Sequence, residues 1–264
     1  EAVVDGNLVT SRNPYALPAF CSAILKKTEA RVIELEAKIK EVIQRTYNVK
    51  SVRLGIAGEP DFKAGQFCCV RLLIEKECKR YLSISSSPTE GSYIEFTKKI
   101  TGSDFSKILD TLETGDTLKI QYPYGKFTLQ DPKDKIAFLS GGIGITPIRS
   151  IVKFAVDEKL GTDMVLLYAN RTFGDIVFKE DFDSMQKDYD KLKVTHVLCE
   201  ERQGFNCEVG LINAGLIKAQ IPDYTQRKFY ICGPPAMVGA MKKILTDELK
   251  FPEQNIITEN FQGY

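Results

Sequence analysis

The chain has 264 residues, 43% of them hydrophobic and 27% charged, with 36 Lys and Arg against 35 Asp and Glu. That length predicts two domains, each able to bury a core, and the composition is that of a globular protein rather than a disordered or fibrous one. A balanced charge leaves no global field for nucleic acid or an anionic membrane, no apolar run approaches the roughly 20 residues of a membrane helix, and no signal-type segment is present, so a cytoplasmic protein is expected.

Taken in chain order, Val3 to Thr10 holds a Gly-containing turn between two β-prone pieces and predicts a small hairpin. Leu17, Phe20, Cys21, Ile24 and Leu25 recur at helical spacing, and the pattern extends through Val32 and Leu35, predicting a helix with Pro18 in its first turn. From Glu36 to Pro132, short apolar segments alternate with turns such as Gly58 to Asp61, which predicts a small antiparallel β-barrel. From residue 133 to Tyr264, β-prone runs at Lys135 to Ser140, Met164 to Ala169, Val194 to Leu198 and Phe229 to Cys232 alternate with helical stretches. That alternation predicts an α/β domain with a parallel sheet.

The seven cysteines, Cys21, Cys68, Cys69, Cys78, Cys199, Cys207 and Cys232, form no CxxC pair, so neither zinc nor an iron–sulfur cluster is expected and reduced thiols fit best. His196, the one histidine, lies in an alternating apolar stretch and reads as a packed strand residue.

Ser140 to Pro147 reads SGGIGITP, just after a strand and just before a helix. Glycines there let a pyrophosphate approach the backbone, and the helix N-terminus offers free N–H groups, with Pro147 suited to the first helical position. The third glycine of the dinucleotide fingerprint is missing, so a purely structural turn stays open as an alternative. Cys232, Gly233 and Pro234 form a second turn at a strand end, where ligands of open α/β sheets collect. In the barrel, Arg80-Tyr81-Leu82-Ser83 offers a guanidinium fork and a hydroxyl, or an exposed arginine followed by a serine turn.

Together, Arg80 to Ser83, Pro123 to Phe127 (PYGKF), Gly141 to Pro147 and Cys232 to Pro235 resemble, in order, the motifs of the ferredoxin:NADP reductase superfamily. The resemblance implies an FAD barrel followed by an NAD(P) domain. Arg80 would then hold a flavin phosphate, and Ser83 would bond beside the hydride-accepting nitrogen. Gly102 and Ser106 resemble the second phosphate-binding element, which favours FAD over FMN. Tyr81, Leu82 and Gly125 fall in the flavin motifs, Gly141, Gly142, Gly144, Thr146, Pro147, Gly233 and Pro234 in the nucleotide motifs. Ser83, Cys232 and Glu259 are the catalytic candidates by this resemblance. The implied activity is hydride transfer between NAD or NADP and FAD, with electrons passed to a ferredoxin, a flavodoxin, an oxygenase component or a free acceptor.

The family usually has Tyr where this chain has Leu82, a loss worth about 0.5 to 1.5 kcal/mol of aromatic contact. Tyr81 is displaced by one residue and is expected to face the other side of the strand. Tyr264 resembles family tails that approach the flavin, although a terminal ring covering the core reads equally well. Arg171, after the second strand of the α/β half, leaves NADH and NADPH both open. Residues 1 to about 28 resemble the closing hairpin and helix of the PfpI/ThiJ-like family, which predicts a remnant of an upstream fused domain over residues 1–35. A non-catalytic nucleotide-binding or assembly subunit is the competing reading, supported by Leu82.

Overall fold

The structure is a computed structural model and describes residues 2–5, 8–11, 32–73 and 77–261. Strands β1 (Ala2–Asp5) and β2 (Leu8–Ser11) form the expected hairpin, with Val3 opposite Thr10 and Val4 opposite Val9. The helix expected over Leu17 to Leu25, with Cys21, lies outside the described residues, as does most of the segment resembling the PfpI/ThiJ-like family. Its extension through Leu35 is corrected, because Ile33–Thr46 is strand β3. Ala37 and Ile39 are buried between exposed Lys38 and Lys40, so an alternation of two took precedence over the helical spacing. Residues 1–33 and 34–264 form two separate compact units.

The larger unit begins with an antiparallel sheet of β3, β4 (Val49–Gly55), β5 (Phe67–Leu73), β6 (Glu77–Ser83), β7 (Tyr93–Lys99) and β8 (Thr117–Tyr124). Helix α1 (Asp104–Thr111) intervenes between β7 and β8. The strand order is β6-β5-β8-β3-β4-β7. Val52, Leu54, Val70, Ile94, Phe96 and Ile120 are fully buried and fill the barrel. The edge strands β6 and β7 are brought together by one bridge, Ile84 opposite Phe96, and no other pairing joins them among the described residues. The barrel is therefore open along this seam below the bridge.

Next comes a fully parallel sheet, in the order β12-β11-β10-β9-β13-β14. Its strands are β9 (Lys135–Gly141), β10 (Asp163–Asn170), β11 (Leu192–Leu198), β12 (Glu208–Val209), β13 (Lys228–Gly233) and β14 (Ile256–Asn260). Helices α2 (Ile145–Asp157), α3 (Lys179–Asp188), α4 (Ala214–Gln220) and α5 (Pro235–Lys243) lie between them. Alternation along β9 sends Ile136 and Phe138 to one core with Ile148 and Ile151, and Ala137 and Leu139 to another with Ile217, Val238 and Leu245. The short edge strands β12 and β14 carried no signal strong enough to be expected from sequence. Pro147 occupies the third position of α2 rather than the first, because Gly142–Gly144 forms a 3₁₀ turn ahead of it. Its missing N–H still falls among the four that a helix start leaves unpaired.

Strand order reverses between β9 and β13, so their carboxyl ends form the crevice where such sheets take ligands. The two turns close on each other there: a methyl group on Gly144 would run into the Cys232 carbonyl and the Gly233 backbone. That contact, rather than a special backbone angle, requires glycine.

Barrel and sheet are fastened along α2. Arg149, 5% exposed, donates to the Ser85 carbonyl at 3.0 Å and the Asp181 carboxylate at 2.9 Å, and forms a two-pronged pair with Glu90. Ser150 donates to the Ser86 carbonyl at 2.6 Å and accepts from the Gly65 N–H at 3.3 Å. Burial opposes the charge on Arg149, yet Glu90 and Asp181 more than offset it and hold the guanidinium protonated. Removing one partner of such a buried pair leaves uncompensated charge and costs about 3–5 kcal/mol. Arg149→Ala should therefore lower the thermal midpoint by roughly 6–20 °C, at about 2–4 °C per kcal/mol for a chain of this size. A melt within about 2 °C of the parent would show that the pair contributes little.

Candidate active site

A cavity of about 260 Å³ lies where the barrel seam is open. Its wall takes Arg80, Tyr81, Leu82 and Ser83 from β6, Thr97, Lys98 and Lys99 from β7, and Phe67 from β5. The other side comes from the parallel-sheet half: Ile143, Thr146, Glu259, Asn260 and Phe261. Arg80 and the loop following Gly141 thus open onto one space.

Two cations in this wall, Arg80 and Lys98, have no carboxylate partner among the described residues. Arg80 lies 5.7 Å over the Phe105 ring and donates to its neighbour's carbonyl, Lys79, at 2.8 Å, with no carboxylate partner among the described residues. Lys98 is 5% exposed and donates to the Lys99 carbonyl at 3.2 Å. Burial, and secondarily Arg80, lower its pKa. Two positive groups in one wall, neither paired with a carboxylate among the described residues, call for an anion, and a dinucleotide pyrophosphate fits that demand.

Two polar atoms in the same wall are unpaired among the described residues. Ser83 is 4% exposed and its Oγ has no partner, nor does Oε2 of Glu259. Burial pushes the Glu259 carboxyl up to about 7. A buried unpaired hydroxyl costs about 1–3 kcal/mol, which a ligand hydrogen bond would recover. Cys232 sits behind this wall, directly opposite Glu259 on β14 and Ser140 on β9. It is fully buried, and burial, followed by Glu259, pushes its thiol well above the ordinary value, so it is a neutral thiol.

The remaining expected residues group around these. Thr146 donates to the Ile143 carbonyl at 3.1 Å at the start of α2. Gly141 ends β9 and Gly142 opens the 3₁₀ turn after it, while Gly233 ends the neighbouring β13 and Pro234 caps α5. Pro147 is buried in the same first turn as Thr146. Ser106 is occupied by its own helix cap, bonding Thr101 at 3.0 Å and Ser103 at 3.1 Å, while Phe105 brings that helix start under Arg80. Gly102, just before the cap, lies outside the cavity wall. Gly125 accepts from Gln66 at 3.2 Å, in a turn against Phe67. Arg171 is exposed just beyond β10, with buried Asn170 before it. Tyr264 lies outside the described residues. Tyr81, expected to face away, lines the cavity with Leu82, because β6 is an edge strand and residues from both its faces reach the open seam. Lys98 and Lys99 were missed from sequence, although a buried lysine after Ile94, Glu95, Phe96 and Thr97 is an interruption of the strand pattern that could have marked them. His196 packs beside Tyr168 and Phe205, and burial lowers its pKa, in keeping with a structural role.

Comparison with known proteins agrees with this architecture. Residues 35–129 match the oxidoreductase FAD-binding domain and residues 138–243 the oxidoreductase NAD-binding domain. The chain belongs to the ferredoxin:NADP reductase superfamily and carries an FAD-binding domain followed by a pyridine-dinucleotide-binding domain. It is 30% identical to an NADH-cytochrome b5 reductase 1 of Ajellomyces capsulatus, over 89% of this chain and 79% of that one. It is 32% identical to a glycine betaine monooxygenase reductase subunit of Pseudomonas aeruginosa over 86% of this chain, and spans 64% of that relative's length. In fold it resembles the cytochrome b5 reductase domain of Ulva prolifera nitrate reductase, with a TM-score of 0.77 at 22% identity, covering 86% of this chain and 97% of that one. It also resembles a Neisseria gonorrhoeae ferredoxin NADP+ reductase with bound FAD and NADP, with a TM-score of 0.72 at 20% identity, covering 88% and 99%.

The raised pKa of Glu259 has a defined sign in stability. Between its ordinary value of 4.5 and about 7 the folded state binds the extra proton, so stability falls as pH rises through that window and is level above it. Glu259→Gln carries no such proton. Its stability relative to the parent should grow by about 1–3 kcal/mol from pH 4.5 to 8, read from denaturant melts at each pH. A difference that stays constant with pH would show that Glu259 ionises normally.

Proposed function

We propose that this protein transfers hydride between NAD(P)H and FAD and passes the electrons on to a protein or small-molecule acceptor. The observation that carries the reading is the single cavity walled by Arg80 and Ser83 from the barrel and by Thr146 and Glu259 from the parallel sheet. FAD, when bound, supplies hydride acceptance and the release of electrons singly or in pairs. Arg80 and Lys98 neutralise a diphosphate, Ser83 presents its free hydroxyl to the flavin edge, and the glycine turns with the start of α2 receive the nucleotide phosphates. Glu259, titrating near neutrality, holds or releases a proton at Oε2 beside the neutral Cys232 thiol. Arg171, exposed past β10, is offered to the adenosine end of either nucleotide. The division of labour places the flavin half at residues 36–132 and the nucleotide half at residues 133–264.

The acceptor is proposed from the relatives, which include a monooxygenase reductase subunit and a cytochrome b5 reductase, as an oxygenase component, a cytochrome, a ferredoxin or a flavodoxin. No helix among the described residues is long and apolar enough to cross a membrane, and we place the protein in the cytoplasm.

Anaerobic titration of the FAD-loaded protein with NADH and NADPH in parallel tests the reading. Flavin absorbance should bleach at one equivalent of the preferred nucleotide. Colourless protein that refuses FAD, or bound flavin that neither nucleotide reduces, would support the assembly-subunit alternative instead.

A further inference from the structure

We infer that Tyr81 supplies the aromatic face against which the isoalloxazine of FAD rests. The inference deepens the reductase reading and rests on FAD occupying the cavity.

Three observations carry it. Tyr81 is 58% exposed although it sits in a strand, and its exposed ring borders the cavity. The ring is also braced. It meets Phe67 edge-on at 5.8 Å and Tyr124 edge-on at 6.0 Å, while those two stack on each other at 5.7 Å. Such a trio fixes the Tyr81 side chain before any ligand arrives, so little rotamer freedom is lost on stacking. Finally, Tyr81 and Ser83 share one face of β6, opposite Cys69 and Phe67 of β5, and lie two residues apart, about 6.6 Å along the strand. The unpaired Ser83 hydroxyl marks where the polar edge of a ring ends. A three-ring heterocycle bonded there and extending along β6 passes over Tyr81. Leu82, on the alternate face, has no π-surface to offer.

The composition supplies a clean readout. The chain contains no tryptophan, and Tyr81 is the one tyrosine in the cavity wall among the described residues. A phenol in contact with photoexcited flavin donates an electron to it and recovers that electron on return to the ground state, which quenches fluorescence with no net chemistry. Phenylalanine keeps the ring and the packing but is too hard to oxidise to do this.

The experiment measures fluorescence lifetimes of bound FAD in Tyr264→Phe and in Tyr81→Phe/Tyr264→Phe, so that the terminal ring masks nothing. FAD affinity of Tyr81→Phe and Tyr81→Leu is measured in parallel. The inference expects a severalfold longer lifetime in the double variant, near-parental affinity for Tyr81→Phe, and affinity weakened about 2- to 10-fold for Tyr81→Leu. Unchanged lifetimes, with FAD still bound and still bleached by nucleotide, would overturn the role of Tyr81 and leave the reductase reading standing. Loss of affinity in Tyr81→Leu without any lifetime change in the double variant would place the ring on another part of the cofactor and equally overturn it. Failure of the parent protein itself to bind FAD would overturn both.

Discussion

The buried contact between Arg149 and the segment from Ser85 to Glu90 is the constraint on which the rest of the structure depends. Arg149 and Ser150 belong to the first turns of α2, whose start carries Thr146 and the nucleotide turn. Ser85 and Ser86 follow Ser83 after the bridging residue Ile84. One helical turn therefore fixes the distance between the candidate flavin contact and the candidate nicotinamide contact. Glu90 and Asp181 make the arrangement selective as well as tight, since a guanidinium that is 5% exposed is tolerable only with both carboxylates in place.

The cavity follows from a barrel that does not close. Below the Ile84–Phe96 bridge, β6 and β7 part, and their edges turn toward a common space instead of toward each other. Open strand edges elsewhere invite aggregation, but this one faces the parallel-sheet half and is covered by it. The electrostatics of the space suit a polyanion with a polar ring: among the described residues, two cations are not paired with carboxylates and one hydroxyl is unpaired, and burial pushes a carboxyl up to about 7.

Much of this was legible in the residues. SGGIGITP and Cys232-Gly233-Pro234 each lie between a β-prone run and a helical one, and local pattern alone located both turns. Their adjacency needed the sheet order, which a chain read in one dimension implies only through the rule for strand reversal. Sequence reasoning failed where tertiary contact overrides local preference. Val32 and Leu35 continue a helical spacing, yet Leu35 joins a strand, because the barrel offers it partners. Lys98 was not singled out, because its burial comes from tertiary packing that the order of residues in β7 does not spell out. Tyr81 was expected on the other face of β6 from Leu82, and at this edge strand residues of both faces line the cavity.

The central claim is that the two halves bring nicotinamide and flavin into direct contact. The most direct measurement is single-turnover flavin bleaching with nucleotide deuterated in turn on each face of its reactive carbon. Direct transfer across a fixed cavity predicts a primary isotope effect from one face and none from the other. Equal rates with both labelled forms, at saturating nucleotide, would contradict the account.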